Sequence, residues 1–444
     1  MPSDRPFSLL RSAVLGLGLA GLASAGASAT NGYFQHGYGV KAKAMGGASI
    51  AVIDGVLTTA NNPAGMVHVG NRLELGVDWF APDRGGRVMG QDFSANGKNN
   101  FILPEAGVNI MLDDDLSLGL TLFGNGGMNT SFEAPVFSSQ FAGTDAGTNT
   151  GIDMAQLFVS PTLSYEMTEG HSIGVAFNLI FQYFEATGLA NFCGFTENGF
   201  ATPDGRIGCP QDPGAAIDGL TDQGTDWSTG TSVRIGYRGQ FTDWLAVGAY
   251  YQTESQMQRF EKYENLFAEN GDFDIPEHFG AGVALYPGGG TTIAADVQHI
   301  RYGSIASVGN PNTGFSAPAA FGLGPALGAD TGPGFAWEGM TIFKIGVEQQ
   351  VSRRLHLRAG FSHGNQPIPE GETTFNFIAP GVIENHATIG AEWTFDNGVD
   401  IQVFFMHAFE KSVQGSTPAG QFGPGSADIH MNQNSAGITF GFDF

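Results

Sequence analysis

The chain has 444 residues, 67 of them glycine and 36 phenylalanine, and only 14% are Asp, Glu, Lys or Arg, a mixture that suits strands and turns better than charged surface helices. Its 43 acidic residues against 19 basic ones give a formal charge of -24, which argues against a nucleic-acid partner and fits a solvated acidic surface. Past the first 29 residues no stretch reaches about 18 apolar positions, so a spanning helix is excluded and a lipid-embedded form would have to be a closed barrel.

Residues 1–29 have the organisation of an export signal. Arg5 and Arg11 give a positive start, Ala13 to Ala23 form a short apolar core, and Ala27-Ser28-Ala29 is a small-residue cleavage site. The apolar core is too short for a membrane anchor, and cleavage is expected after Ala29. Residues 30–70 are rich in Gly and Ala and lack a period of two. Ala48 to Ala60 could form a short helix closed by Asn61-Asn62-Pro63, because proline disfavours helix in the residue before it. A weakly charged segment of small side chains ahead of the first strand reads as an internal plug.

From residue 71 to 444, segments of roughly ten residues alternate in polarity between turn residues, the pattern of a transmembrane barrel. About fourteen such segments occur. Leu73/Leu75/Val77/Trp79, Ile173/Val175/Phe177/Leu179 and Val399/Ile401/Val403/Phe405 are examples. Tight turns such as "LDDDLS", "FTDW" and "FDNGVD" alternate with long loops near 83–100, 129–152, 186–226, 257–274, 303–336, 366–384 and 411–433. That alternation predicts an all-β fold: a 14-stranded antiparallel transmembrane barrel with an N-terminal plug containing short helices.

On the opposite, lumen-facing parity the segments carry Phe123, Phe158, Ile180, Phe184, Tyr250, Phe404 and Met406 among polar residues. Such an interior is greasier than a polar-solute porin requires, and these residues either line a ligand path or pack against the plug. Cys193 and Cys209 lie in a Gly/Pro/Asp-rich loop and can pair in an oxidising compartment. With no His or further Cys close in sequence, a metal there is disfavoured, and no cofactor or metal is expected elsewhere. The last strand places Ile438, Phe440, Phe442 and Phe444 on one face and Gly437, Thr439, Gly441 and Asp443 on the other, fit for lipid outside and a crowded or polar interior.

The run "NGYFQHGYGVKAKAMGGASIAVIDG" with the following "NNPAGM" resembles the amino-terminal hatch of FadL-type outer-membrane transporters of long-chain fatty acids and other hydrophobic compounds. The resemblance is most specific at Gly32-Tyr33-Phe34, Met45-Gly46-Gly47-Ala48 and Asn62-Pro63-Ala64-Gly65, and its layout covers the chain beyond the signal. It implies a Gram-negative outer-membrane location, in contact with lipid and lipopolysaccharide. It also implies a monomer whose terminal Phe440, Phe442 and Phe444 are read by the barrel assembly machinery. Ligand would first rest on an apolar groove among the long outer loops, then enter a site beside the hatch near Tyr33 and Phe34, and leave sideways where the third strand kinks. In "LSLGLTLFGNGGMNTSF", Gly124, Gly126 and Gly127 suit such a kink, and Asn62, Pro63 and Ala64 would brace the hatch against it. Lateral release needs no energy coupling, since an acyl chain gains about 0.8 kcal/mol per buried CH₂ in lipid.

One departure concerns the ligand headgroup. Fatty-acid members carry basic residues near the upper fifth strand, where this chain reads "FQYFEATGLANF" with Glu185 and no Lys or Arg. Arg234, Arg238 and Lys344 have inward parity and are candidate carboxylate partners, or else neutralise plug carboxylates. Neutral aromatics or alkanes are the alternative cargo, and a structural or adhesive barrel is the alternative from another class. No catalytic role is expected. "GLGLAG" lies inside the signal, and "GFSHG", with Ser362 and His363, continues a strand instead of entering a helix.

Overall fold

The computed structural model describes residues 30–88, 90–137, 149–196, 216–312, 324–416 and 426–444. Fourteen long strands follow one another round a single antiparallel sheet: β1 Arg72–Val88, β2 Phe101–Met111, β3 Leu116–Phe132, β4 Thr150–Thr168, β5 His171–Thr187, β6 Asp226–Thr242 and β7 Leu245–Gln252. The second half is β8 His278–Gly288, β9 Thr291–Ile300, β10 Met340–Gln350, β11 Leu355–Gly364, β12 Asn385–Thr394, β13 Val399–Val413 and β14 Ala427–Asp443. β14 pairs with β1 in unbroken register from Arg72 opposite Asp443 to Val88 opposite Ala427, so the sheet closes and leaves no edge. Short strands Gln91–Ser94 and Gln256–Met257 ride on β1 and β6.

Alternation along each strand separates the two faces. Ile173, Val175, Phe177 and Leu179 of β5 are exposed, as are Phe343, Ile345 and Val347 of β10 and Phe440 of β14. Leaving a band of large apolar side chains on the outside is stable only against lipid. Several strands run further into the long-loop end than hydrophobic alternation suggests. β14 starts at Ala427, inside the expected 411–433 loop, and β1 continues to Val88, past the expected start of a loop at 83. There the outward positions, such as Arg87 and Asp428, are polar while backbone pairing persists, so the apolar signal fades before the ladder ends.

Residues 30–70 fill the lumen as a plug, and nearly all of their side chains are buried. The helix expected over Ala48–Ala60 is not formed. The α-helical turn is α1, Val40–Ala44, and short 3₁₀ turns occupy Leu57–Ala60 and Pro63–His68. Between them the wall supplies what a helix would: Asp296 of β9 accepts from the backbone N–H of Ser49 and Ile50 at 2.7 and 3.0 Å. Backbone donors satisfied from outside need no helix of their own.

Candidate functional site

The lower plug is tied to the barrel by charge. Lys43 on α1 is fully buried and bonds both Asp78 of β1 and Glu105 of β2. Lys41 reaches Asp54 at 2.8 Å and Glu392 of β12 at 3.1 Å, while Arg358 of β11 reaches Asp54 at 2.9 Å and Glu392 at 2.6 Å. Burial opposes the charge on Asp54, yet Arg358 and Lys41 outweigh it and hold the carboxyl well below the usual range. Burial likewise opposes the Lys41 charge, and Asp54 and Glu392 hold its pKa above the ordinary value.

Asn62-Pro63-Ala64 hydrogen-bonds to strands β4 to β6. The Asn62 amide donates to Ile50 O and Tyr237 O at 2.7 and 3.0 Å and its oxygen caps the Ala64 N–H. Ser164 and Ser172 both donate to Ala64 O. The expected brace at the kink is therefore made by a different segment. Between Gly124 and Gly126 the β3–β4 register shifts, leaving Asn125 as a bulge. Tyr33 to Gln35 bind there: Gln35 N–H donates to Asn125 O, Gly127 N–H to Tyr33 O, both at 2.9 Å, and the Gln35 amide to Gly124 O at 2.8 Å. A Cβ on Gly126 would sit 1.7 Å from Tyr33 O, so the approach requires glycine. The docking runs mainly through backbone groups of Tyr33 and Gln35, which leave no side-chain period, and that is why the docking partner was invisible in sequence.

Tyr33, Phe34, Phe123, Phe158, Ile180 and Phe184 converge in one buried apolar cluster. Tyr33 lies 5.2 Å from Phe34 between ring centroids, and Phe123 lies 5.5 Å from Phe158. Phe404 and Met406 are not part of it; they pack with Val40 and Ala44 of α1. Tyr250 belongs to a neighbouring polar cavity lined also by Gln35, Tyr38, Arg234, His278 and Lys344. Tyr38 joins the two, with its ring 4.4 Å from Phe123 and its hydroxyl donating to Asn125 at 2.6 Å.

Arg234 and Lys344 are both buried in that cavity, and among the described residues neither makes an ion pair. Arg234 donates to Gln252 at 2.8 Å and stacks 5.6 Å from the rings of Tyr38 and Tyr250. Lys344 donates to Gln298 at 2.8 Å; its cross-strand neighbour Asp296 gives one oxygen to the plug backbone, while the other has no hydrogen-bond partner. Arg238 is not brought to this cavity and bonds Ala51 O and Gln240. Of the three cations with inward parity, Arg234 and Lys344 line this cavity and Arg238 does not, and the plug carboxylate Asp54 is paired with Lys41 and Arg358 instead. Ser362 turns inward to His386 at 3.1 Å while His363 points outward to Asn385, so the two are not brought together. Cys193 is disulfide-bonded; Cys209 lies outside the described residues.

A family model described as outer membrane protein transport protein (OMPP1/FadL/TodX) matches residues 16–444. The chain belongs to this family. Solved relatives of FadL/TodX type share the fold. The toluene transporter TodX of P. putida is 19% identical, with a TM-score of 0.67 over 92% of this chain and 99% of that one. A FadL homologue of Pseudomonas aeruginosa is 14% identical, with a TM-score of 0.67 over 93% and 100%. The toluene transporter TbuX of Ralstonia pickettii is 15% identical, with a TM-score of 0.62 over 92% and 99%. Among curated proteins none matches the chain. As a FadL/TodX family member the protein is an outer-membrane transporter of hydrophobic compounds, and its family consists of transport channels.

Proposed function

We propose that the cargo is an amphiphile with an acidic headgroup, of the long-chain fatty acid class, taken up passively and released sideways into the membrane. The observation that carries this is the cavity holding Arg234 and Lys344. Two buried cations without ion-pair partners are costly unless an anion joins them, and a guest carboxylate can accept from both. The adjoining apolar cluster around Phe123 and Phe158 suits the tail. Release beside the β3 bulge follows from the plug's attachment there through Tyr33 to Gln35.

Neutral aromatic hydrocarbons are the second reading, favoured by the density of rings in the cluster and by the toluene transporters among the relatives. Uptake of labelled oleate and of toluene by cells carrying Arg234→Gln with Lys344→Gln separates the two. Oleate uptake is expected to fall about tenfold, the worth of a lost charge-assisted bond, with toluene unaffected. Unchanged oleate uptake would remove the acidic-headgroup reading.

A further inference from the structure

On the outer face of the second half of the barrel, the apolar rows end toward the long loops in a line of histidines. His299 of β9, His363 of β11 and His407 of β13 point outward on alternate strands, two residues beyond the exposed Val297, Phe361 and Phe405. Each bonds through Nδ1 to the residue opposite it on the next strand, Thr341, Asn385 or Asn434, all at 2.9 Å. The line keeps one height. Followed from β11 to β14, the pairing climbs away from the short-turn end: Leu355, first in its strand, faces Trp393, which faces Ile401, which faces Phe440, three residues inside the end of β14. From one histidine to the next the line steps back two residues, Thr341 to Phe343 on β10 and Asn385 to Ala387 on β12. Two strands across at about 4.8 Å each and two residues along at about 3.3 Å each cancel in height to about 1 Å at a tilt of about 40°.

Such a line marks where lipid tails give way to headgroups, and ring pairs suit that boundary: His299 stands 5.5 Å from Phe279 and His407 5.0 Å from Phe409. The side-chain oxygens of Asn385 and Asn434 only accept, so Nδ1 carries the proton of the neutral ring. Nε2 has no partner among the described residues, and in that tautomer it only accepts. A second proton makes it a charged donor. Beyond the line, Arg301 and Tyr251 both bond Glu277, Lys411 pairs with Glu384 at 2.8 Å, and Glu338 and Glu410 are exposed. Carboxylates thus outnumber cations there until the three rings gain protons, which reverses the sign of the patch between about pH 8 and pH 5. We propose that this line is a phosphate-binding girdle for lipid A, which it holds when its histidines are protonated. The long loops put the line in the outer leaflet, and the lipid A disaccharide carries a phosphate at each end, able to meet two histidines standing about 10 Å apart. The proposal is independent of the cargo.

The test is native mass spectrometry of the purified full-length barrel, titrated in detergent with diphosphoryl lipid A at about pH 5.5 and about pH 8. Binding should be about tenfold tighter at the lower pH, as expected for a gained charge-assisted bond. That increment should vanish for lipid A stripped of both phosphates, and in the triple variant His299→Gln, His363→Gln, His407→Gln, whose changes all lie on the outer face. An equal increment for stripped lipid A overturns the girdle, and that comparison needs no variant to fold. An unchanged increment in the triple variant does the same. Phosphatidylglycerol bound as tightly as lipid A, with the same dependence on pH, overturns it too, since a single phosphate would then suffice.

Discussion

The lower and upper halves of the plug are held by opposite means. Below, Lys41, Lys43 and Asp54 meet Asp78, Glu105, Arg358 and Glu392, so Lys41, Lys43 and Arg358 each have a carboxylate. Above, Tyr33 to Tyr38 are held by backbone bonds to a bulge and by ring contacts, beside cations that make no ion pair among the described residues. Charge pairs buried in a lumen are rigid because breaking one strands the other partner, whereas ring packing and a few backbone bonds can be exchanged for contacts with a guest. The contrast assigns anchoring to the lower half and response to the upper half.

The largest effect is expected from Lys43→Met, which leaves Asp78 and Glu105 buried with no cation. Removing one member of a buried pair costs about 3–5 kcal/mol. Hydrogen exchange across Val40–His68 should accelerate strongly, and ion conductance through the barrel should appear in planar bilayers. Adding Asp78→Asn and Glu105→Gln should recover most of the protection. A Lys43→Met plug as protected as the parent would show that charge does not anchor it.

Gly126→Val attacks the upper half. Its side chain must displace Tyr33 O, so the Tyr33–Gln35 attachment is lost while the lower anchors stay. Overpacking of this kind costs about 1–3 kcal/mol, and uptake should fall with barrel yield unchanged. Normal uptake would dissociate the bulge from transport. Asn62→Ala comes next, at about 1 kcal/mol for a lost cap and its two further bonds, and should loosen the plug near β5 and β6 without altering ligand binding. A drop in ligand affinity without added exchange near Pro63 would assign Asn62 to the responsive half instead.

Much of this was legible in the chain. The period of two gave the barrel and its count of strands, because each strand must show one face to lipid, and the same parity turned Arg234 and Lys344 inward. The plug was less legible. Its backbone is satisfied by the wall, as Ser49 and Ile50 are by Asp296, so local propensity for a helix after Ala48 was overridden by partners remote in sequence. The same remoteness hid the docking of Tyr33–Gln35 on β3.

The smallest expected effect concerns the loop that caps the upper half. Asp274 accepts from Met257 N–H at 2.6 Å, and its neighbour Phe273 lies 6.1 Å from Tyr33. Burial, with Asp272, Glu254 and Glu269 nearby, pushes its pKa up to about 7. A carboxyl raised in the folded state favours the protonated form, so the loop is steadiest at low pH. It loses stability as pH rises from the ordinary carboxylate value toward 7, because over that window the released loop ionises and the packed one resists. Proteolysis between Glu254 and Glu277 should accelerate about threefold across the window, a modest change because the group is only partly buried. Asp274→Asn keeps an acceptor for Met257 and removes the charge, so its cleavage rate should stay flat with pH. Parallel pH profiles for the two proteins would show that Asp274 does not set the stability of this cap, and would leave the upper plug held by its ring packing and its backbone bonds to the bulge.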